Sequence, residues 1–304
     1  MYDIIIVGSG PAGMTAALYA LRADKTVLVI EKENFGGQIT YSPKFENYPT
    51  IPQISGSEFA EKFLEQIISH GAEIEMAEVT RIIDEGSAKK TVVTDNGTFE
   101  GKAVIIATGS KHRHLGLENE EKFIGNGISF CAVCDGSFYT DKEVAVIGGG
   151  NTALQEAVML SSLCKKVTVV QNLSFMTGEK RLLNLLEKAS NVELVYDCVV
   201  SKLIGEDTLD AISLHNTQTN EDSVLKIDGI FVAIGQAPEN QGFADVTELN
   251  EYGYISADES CLTKTEGIFV AGDCRTKQIR QVTTATADGA VAALAACRYI
   301  DSFC

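Results

Sequence analysis

The sequence contains no long hydrophobic run. No apolar stretch among its 304 residues approaches the roughly 20 residues that cross a bilayer. The N-terminal residues also lack the pattern of a secretory signal, which is a basic stretch followed by an apolar run and a small-residue cleavage site. We therefore expect a cytoplasmic protein that does not enter the membrane.

Basic residues are scarce. The chain has 25 Lys and Arg against 42 Asp and Glu, which gives a formal net charge of −17. Binding to nucleic acid draws on a basic surface that neutralises phosphates. The composition therefore argues against nucleic acid as a partner, and equally against docking on anionic lipid.

Cysteine is sparse as well, because eight cysteines in 304 residues are too few for a disulfide-dense scaffold. Only Cys131 and Cys134 form a close pair, and the others stand singly at 164, 198, 261, 274, 297 and 304. In a reducing cytosol such a pair binds metal or undergoes redox chemistry.

Redox chemistry is the favoured interpretation of this pair. Zinc would need a second pair of ligands at usable spacing, and none is evident, so we predict no metal site. A structural disulfide that closes so short a loop would constrain the unfolded chain little. In redox use, one thiolate attacks a substrate disulfide and the other resolves the mixed disulfide. Asp135, next to Cys134, is placed to exchange a proton with a thiolate, so we predict Cys131, Cys134 and Asp135 to be catalytic.

The first 31 residues predict a dinucleotide-binding unit. A strand over residues 2–7 leads into the loop Gly8-Ser9-Gly10-Pro11-Ala12-Gly13, a helix to Arg22 and a strand over 26–30 that ends at Glu31. In this pattern the three glycines allow a tight turn, approach of a pyrophosphate and close helix packing, and the acid accepts hydrogen bonds from a ribose. We therefore predict that a dinucleotide contacts Gly8, Gly10, Pro11, Ala12, Gly13 and Glu31.

The same pattern returns halfway along the chain. A strand over 143–147 precedes Gly148-Gly149-Gly150-Asn151-Thr152-Ala153, a helix to Leu163 and a strand over 167–170. The next residues, Gln171-Asn172-Leu173-Ser174, offer no acid for a ribose and no Arg for a 2′-phosphate. One missing hydrogen bond to a charged group is worth roughly 1.5–3 kcal/mol. We favour a unit that keeps its fold without its ligand, and the alternative is that Lys180 and Arg181 compensate.

The remaining pattern predicts the fold class. A helix over 58–69 and short strands at 74–75, 79–83, 91–94, 98–101 and 104–107 lie between the two units. Strands at 229–234 and 267–273 and a small-residue helix over 284–299 follow. We predict an α/β protein with two Rossmann-like nucleotide-binding domains of the three-layer FAD/NAD(P) type. The second domain, 114–246, carries the cysteine pair and is inserted into the first, 1–113 and 247–304.

These motifs together resemble the low-molecular-weight thioredoxin reductases over nearly the whole chain. The resemblance is carried by Gly36-Gly37-Gln38, Glu46-Asn47-Tyr48-Pro49, Ala107-Thr108-Gly109, Cys131-Ala132-Val133-Cys134-Asp135-Gly136, Gly272-Asp273 and Arg280-Gln281. It implies FAD as the cofactor, thioredoxin as the substrate and a homodimer. It also implies that Cys134 faces the flavin while Cys131 attacks the protein disulfide. The further cofactor residues that it implies are Gly37, Gln38, Asn47, Thr108, Gly109, Gly272, Asp273, Arg280, Gln281 and Val282.

The chain departs from the family after the strand of its second unit. NADPH-dependent members carry a His-Arg-Arg segment and a further Arg where this chain has Gln171-Asn172-Leu173-Ser174-Phe175-Met176. The pattern is similar to the ferredoxin-dependent flavin thioredoxin reductases of anaerobes, which implies ferredoxin as the electron donor. Three alternatives stay open: an NAD(P)H-dependent thioredoxin reductase, an oxygen-using dithiol oxidase of a small molecule, and a non-enzymatic flavin redox sensor.

Charge poses one difficulty for ferredoxin, because acidic ferredoxins would be repelled at long range by a net charge of −17. Local cations would have to offset this repulsion. The candidates in the sequence are the segment Lys111-His112-Arg113-His114 and the cations Arg275, Lys277 and Arg280.

Overall fold

A computed structural model describes residues 1–42, 45–86 and 88–303. Within these residues the chain forms two compact units. The first comprises 1–42, 48–111 and 237–303, and the second comprises 45–47 and 112–236. None of the described helices is long and apolar enough to span a bilayer.

The regular elements follow one another in α/β order. The strands are β1 (Tyr2–Val7), β2 (Val27–Glu31), β3 (Glu73–Met76), β4 (Val79–Asp84), β5 (Lys90–Thr94), β6 (Thr98–Ile106), β7 (Lys111–His112), β8 (Ile128–Ser129), β9 (Glu143–Ile147), β10 (Lys166–Val170), β11 (Val192–Val195), β12 (Cys198–Gly205), β13 (Leu209–Asn216), β14 (Asp222–Lys226), β15 (Gly229–Val232), β16 (Gln236–Ala237) and β17 (Ile268–Val270). The α-helices are α1 (Pro11–Arg22), α2 (Gly56–Ser69), α3 (Glu120–Phe123), α4 (Ala132–Asp135), α5 (Asn151–Ser161), α6 (Lys180–Leu186) and α7 (Val282–Asp301). Short 3-10 turns lie at Gly37–Tyr41, Gly136–Tyr139, Gln241–Phe243 and Gly272–Cys274.

The first unit is built on a sheet in the order β3-β2-β1-β6-β5-β4, with β17 paired to β6. The strands β1, β2, β3, β6 and β17 pair in parallel, whereas β5 runs antiparallel to both of its neighbours, β4 and β6. Strand β6 joins the antiparallel and the parallel parts of the sheet, because Thr98–Gly101 pairs with β5 and Ala103–Ile106 pairs with β1. The two strands predicted at 98–101 and 104–107 are therefore one.

Helices α1 and α7 pack on one face of this sheet through small side chains. A Cβ built on Gly289 of α7 would lie only 2.2 Å from the carbonyl oxygen of Ala12 in α1. Buried alanines on both helices share a core with Ile4 and Ile6 of β1. The small-residue composition of the last helix thus allows two helices to approach closely beside the first glycine loop.

The second unit repeats the architecture with a parallel sheet in the order β11-β10-β9-β15-β8. Helices α5 and α6 contribute to the core on one face. The three-stranded antiparallel sheet β12-β13-β14 contributes to the core on the other. This second sheet was not predicted. The parallel strands and long helices that were predicted lie where expected, with ends shifted by at most three residues.

The observed limits of the units differ from the predicted domain boundaries. The chain passes between units at 111/112 and 236/237, rather than at 113/114 and 246/247. The second difference has a physical cause, because Phe243 and Val246 are buried in the core of the first unit together with Ile255. The short excursion 45–47 into the second unit was also not predicted.

Candidate functional site

Cys131 and Cys134 form a disulfide in the second unit, with their Cα atoms 5.3 Å apart. Cys131 immediately precedes the single turn α4, and its sulfur accepts a hydrogen bond from the backbone N–H of Cys134 at 3.1 Å. Between them, Val133 is 55% exposed. The predicted pair is therefore joined, lies at the surface, and has a local donor that stabilises negative charge on Cys131.

Asp135 is the last residue of this turn, and its carboxyl is hydrogen-bonded to Ser129. Its Oδ2 accepts a hydrogen bond from the Ser129 hydroxyl at 2.6 Å, and the Ser129 oxygen in turn accepts the N–H of Cys131 at 3.1 Å. Its Oδ1 is buried without a hydrogen-bond partner. Burial raises the pKa of Asp135, and the hydrogen bond from Ser129 opposes the rise. The carboxyl can thus hold a proton closer to neutral pH than an exposed Asp.

A second carboxyl at the disulfide, Glu156 of α5, was missed by sequence reasoning. Its Oε1 accepts the N–H of Ala132 at 3.4 Å, and its Oε2 is buried without a partner. Burial raises the pKa of Glu156 to about 7, the Ala132 N–H opposes this, and the charge of Asp135 adds to it. The available signal was its position three residues from the buried Ala153 and four from the buried Leu160, on the apolar face of the helix.

The first glycine loop has the shape that its spacing predicts. Gly8 has φ +104°, and a Cβ on Gly13 would lie 1.9 Å from the Gly8 carbonyl oxygen, so neither tolerates a side chain. A Cβ on Gly10 would meet only the Gly36 oxygen, at 3.9 Å. Helix α1 starts at Pro11 with no acidic residue in its first turn and no side-chain cap. The loop is therefore open to an anion where its second glycine lies.

Glu31 is buried at the end of β2 and stabilises this loop directly. Its Oε2 accepts the N–H and the hydroxyl of Ser9, each at 2.8 Å, and its Oε1 accepts the N–H of Glu33 at 2.9 Å. These bonds fix the loop relative to the strand. The predicted contact of Glu31 with a ribose stays a prediction.

Two further predicted segments lie beside the loop in the first unit. Gly37 and Gln38 are in the turn that follows Gly36, and a Cβ on Gly37 would lie 3.6 Å from the Gly10 Cα. Thr108 donates to the side chain of Asn240 at 3.1 Å, and Gly109 has φ +68° with open space at its Cβ position.

Asn240, a residue that sequence reasoning missed, is 1% exposed. Its amide donates to the carbonyl oxygens of Gly253 and Cys274, each at 2.9 Å. It thereby joins Thr108 to two other segments of the first unit. Asn47, unlike the other predicted cofactor residues, belongs to the second unit.

Gly272 and Asp273 form a turn held by Asp288 of α7. Gly272 has φ +81°, and its N–H donates to Asp288 Oδ2 at 3.0 Å. Asp273 has a buried Oδ1 without a partner, and burial raises its pKa to about 6, against the lowering effect of Lys277 and Arg280. Such an oxygen is suited to accept a hydrogen bond from a bound hydroxyl.

The residues after this turn lead into α7. The guanidinium of Arg280 lies 4.3 Å above the ring of Tyr254. Gln281 caps α7 in a reciprocal capping box with Thr284, and Val282 is the first residue of the helix. The predicted segment at 280–282 is therefore a rigid entry to the helix that packs on α1.

Two cations proposed above as a docking surface are buried. Arg275 is 1% exposed, and its guanidinium donates twice to Asp288, at 2.9 Å each. The Lys277 ammonium donates to the same carboxylate at 2.9 Å. Lys111 is paired with Glu33 at 2.6 Å. The expectation that Arg275 and Lys277 attract a partner was wrong, because both neutralise a buried acid.

The second glycine loop is contacted by the segment that follows β10. The N–H groups of Thr177 and Gly178 donate to the Gly149 oxygen at 2.8 and 2.9 Å. The Gln171 amide is 2.4 Å from where a Gly149 Cβ would stand. Both ends of that amide bond to their own segment, with Nε2 donating to the Phe175 oxygen and Oε1 accepting the Asn172 N–H. No charged side chain occurs from 171 to 178.

The other described cysteines are buried thiols: Cys164, Cys198, Cys261, Cys274 and Cys297. Burial raises the pKa of Cys164 to about 11 and that of Cys261 to about 12, which keeps both protonated at neutral pH. Cys304 lies outside the described residues. Within the described part of the chain, no group of three or more His, Cys, Asp or Glu is arranged to hold a metal ion.

The first unit thus fits an FAD. It combines an open loop at an uncapped helix end, a buried carboxylate oxygen without a partner in Asp273, and a close glycine turn at 36–37. These features match a ligand that brings a pyrophosphate and several hydroxyl groups.

Comparisons with known proteins identify the family of the chain. The family model for pyridine nucleotide-disulphide oxidoreductases matches residues 2–289. A "34.2 kDa protein in rubredoxin operon" of Clostridium pasteurianum is 40% identical over 98% of this chain and 97% of its own length. The thioredoxin reductase of Listeria innocua is 38% identical over 99% of this chain and 94% of its own. The crystal structure of thioredoxin reductase from Streptococcus pyogenes superimposes with a TM-score of 0.94 at 39% identity, covering 100% of this chain and 99% of that one. The chain therefore belongs to the pyridine nucleotide-disulphide oxidoreductases, as a low-molecular-weight member of the thioredoxin reductase family, a flavin disulfide oxidoreductase whose cofactor is FAD.

Proposed function

We propose that this chain is a thioredoxin reductase that takes its electrons from reduced ferredoxin rather than from NADPH. The observation that carries the proposal is that the segment 171–178 has no charged side chain. This segment follows β10, and it is where the 2′-phosphate of NADPH would bind. Thioredoxin as the substrate is supported by the relatives, several of which are named thioredoxin reductase.

The geometry of the second unit supports the exclusion of NADPH. The Gln171 amide is satisfied within its own segment, and the N–H groups of Thr177 and Gly178 are used by Gly149. The nearest cations along the chain, Lys180 and Arg181, are exposed at the start of α6. A single charge-assisted hydrogen bond contributes roughly 1.5–3 kcal/mol. A site that offers no charged partner should therefore bind NADPH at least about tenfold more weakly than a site that offers one.

We assign the cofactor site to the first glycine loop, Glu31, and the segments around Gly37, Thr108, Gly272 and Gln281. In this assignment the open loop at Gly10 takes the pyrophosphate, and Asp273 accepts a hydrogen bond from a hydroxyl. Bound FAD supplies the conversion between single electrons from an iron–sulfur donor and the electron pair that a disulfide requires.

The cysteines then carry out two exchanges. The Cys131 thiolate attacks one sulfur of the substrate disulfide, which forms a mixed disulfide and releases one substrate thiolate. Cys134 attacks the Cys131 sulfur, which releases the second substrate thiolate and restores the enzyme disulfide. The two substrate sulfurs end with the two protons that the enzyme thiols give up. The N–H of Cys134, directed at the Cys131 sulfur, supports Cys131 as the attacking thiolate.

The test is an anaerobic comparison of electron donors. NADPH, NADH and ferredoxin held reduced by an enzymatic system are each added to the holoenzyme with oxidised thioredoxin. Flavin bleaching and thioredoxin thiols are recorded, with the reducing system alone as the blank. We expect ferredoxin to bleach the flavin and drive turnover, and NADPH and NADH to do neither. Rapid bleaching by micromolar NADPH would contradict the proposal.

A matched variant sharpens this comparison. Asn172→Arg combined with Leu173→Arg returns two cations to an exposed segment. We expect the double variant to gain measurable bleaching by NADPH while its rate with ferredoxin stays the same. Asn172→Gln with Leu173→Gln is the uncharged control, and a gain with this control would show that charge is not the determinant.

A further inference from the structure

Among the described residues, three buried carboxylate oxygens lack a hydrogen-bond partner. Two of them lie at the redox disulfide. They are Asp135 Oδ1 and Glu156 Oε2, and the third is Asp273 Oδ1 in the other unit. A buried, unpartnered carboxylate oxygen is costly when charged, so two at the same short turn favour the retention of a proton.

Each carboxyl is also linked by hydrogen bonds, directly or through one hydroxyl, to one backbone N–H at the start of the CxxC turn. Asp135 acts on the N–H of Cys131 through the Ser129 hydroxyl, by bonds of 2.6 and 3.1 Å. Glu156 accepts the next N–H, that of Ala132, directly at 3.4 Å. The conformation of the turn is therefore coupled to the charge of both carboxyls.

We propose that Glu156 is a positioning residue of the dithiol centre, which holds the Cys131–Ala132 turn and shares one proton with Asp135 while the disulfide is intact. The inference depends on the disulfide chemistry of the family and not on the identity of the electron donor. Both carboxyls contact the same short turn, and the charge of Asp135 makes ionisation of Glu156 more costly.

The shared proton has a role when the disulfide is reduced. Two electrons break the S–S bond and leave two sulfurs that need two protons to become thiols. The carboxyl pair gives one proton to the nascent thiolates and solvent gives the other. When substrate disulfide reoxidises the enzyme, both thiol protons leave with the reduced substrate, and the carboxyl pair recovers its proton from solvent.

The other charged side chains on the elements that pack against α5 are exposed or paired. Helix α5 packs on α4, α6, β9 and β10. Of these, α4 contributes Asp135, whereas Lys180 and Arg181 of α6 are exposed. Glu143 of β9 is paired with Lys165, and Lys166 of β10 with Glu193. Burial is therefore the main cause of the raised pKa of Glu156, and Asp135 is the charged group that adds to it.

The test is the pH profile of thiol reactivity in Glu156→Gln. The amide keeps an acceptor for the Ala132 N–H but cannot titrate, so a purely structural role would leave the profile unchanged. The holoenzyme is reduced with excess phosphine without oxygen, and the alkylation rate of Cys131 and Cys134 is followed from acid to alkaline pH. Removing a buried negative charge favours the thiolate, and we expect half-maximal reactivity at a pH lower by about one unit.

The control is Glu206→Gln, which makes the same change at an exposed position of the same unit. We expect its profile to superimpose on that of the wild type. The proposal is overturned if Glu156→Gln also superimposes, or if Glu206→Gln shifts by as much.

A measurement on the wild type alone covers the case in which Glu156→Gln does not fold. Infrared difference spectra between the oxidised and reduced protein should show loss of a protonated carboxyl band on reduction. Isotopic labelling of the glutamate carboxyls should shift that band. The absence of any redox-linked carboxyl change, or a band that glutamate labelling does not move, would refute the inference. Chemical reductants make both tests independent of ferredoxin.

Discussion

Replacement of Asp288 by Asn should destabilise the first unit strongly, because its carboxylate is the common acceptor of a buried cluster. Asp288 is 5% exposed and accepts from the N–H of Gly272, from Arg275 and from Lys277 at 2.9–3.0 Å. Arg275 is 1% exposed. Without Asp288 it keeps hydrogen bonds to the carbonyl oxygens of Thr276 and Ala257, at 2.9 and 3.4 Å, and a contact of 3.3 Å to the exposed Glu259. The variant leaves a buried guanidinium without its buried charged partner.

The size of the effect follows from this geometry. Breaking a buried ion pair by removing one partner costs about 3–5 kcal/mol. For a unit of this size class, each kcal/mol lowers the melting temperature by about 2–4 °C, so a fall of roughly 10 °C is expected. FAD should also be released at lower temperature, because the Gly272–Asp273 turn loses its anchor.

The effect should depend on pH in a definite direction. Burial raises the pKa of Asp288, but hydrogen bonds from Arg275 and Lys277 outweigh it, so the pKa lies below its ordinary value. A carboxyl with a lowered folded pKa stabilises the protein above its unfolded pKa, and that stability is lost as pH falls through the folded pKa. The difference between wild type and Asp288→Asn should therefore be largest near neutral pH and shrink in acid.

The assay is thermal unfolding followed by flavin fluorescence and circular dichroism. The matched control is Asp301→Asn, the same change in the same helix, at a side chain that is 60% exposed and paired with Lys25. An exposed pair of this kind is worth about 0–1 kcal/mol. Equal melting temperatures for the two variants, or a difference that does not shrink in acid, would show that Asp288 does not stabilise the unit through its charge.

Two further predictions concern the redox pair and the first glycine loop. Cys131→Ser should abolish disulfide turnover while flavin absorbance shows FAD still bound, because the pair and the predicted loop lie in different units; retained turnover would remove Cys131 from the mechanism. Gly10→Ala should fold with reduced FAD content, since its Cβ has space, whereas Gly13→Ala should lower the melting temperature, since its Cβ would clash with the Gly8 carbonyl. Equal unfolding temperatures for the two glycine variants would contradict this distinction.

Much of the fold was predictable because its signals are local. Continuous apolar runs predicted β1, β9 and β15, and the glycine loops predicted where α1 and α5 begin. Strands β12–β14 lacked such a run, since their residues alternate in burial and pair through hairpins that only the folded chain reveals. The compact unit begins again at 237 rather than at the predicted 247, because Phe243 is buried against a sheet distant in sequence.

Local sequence patterns were enough to predict the order of elements, both glycine loops and the reactive pair Cys131–Cys134. These features depend on residues that are close in the sequence, and the residue types alone indicate their chemistry. Tertiary structure decided which ionisable groups lose contact with water. It buried Arg275 and Lys277 against Asp288, which removed them from the surface, and it brought Glu156 beside Asp135 at the disulfide. Burial and proximity, rather than residue type, decide whether a carboxyl is charged at neutral pH, and both arise only when distant segments pack.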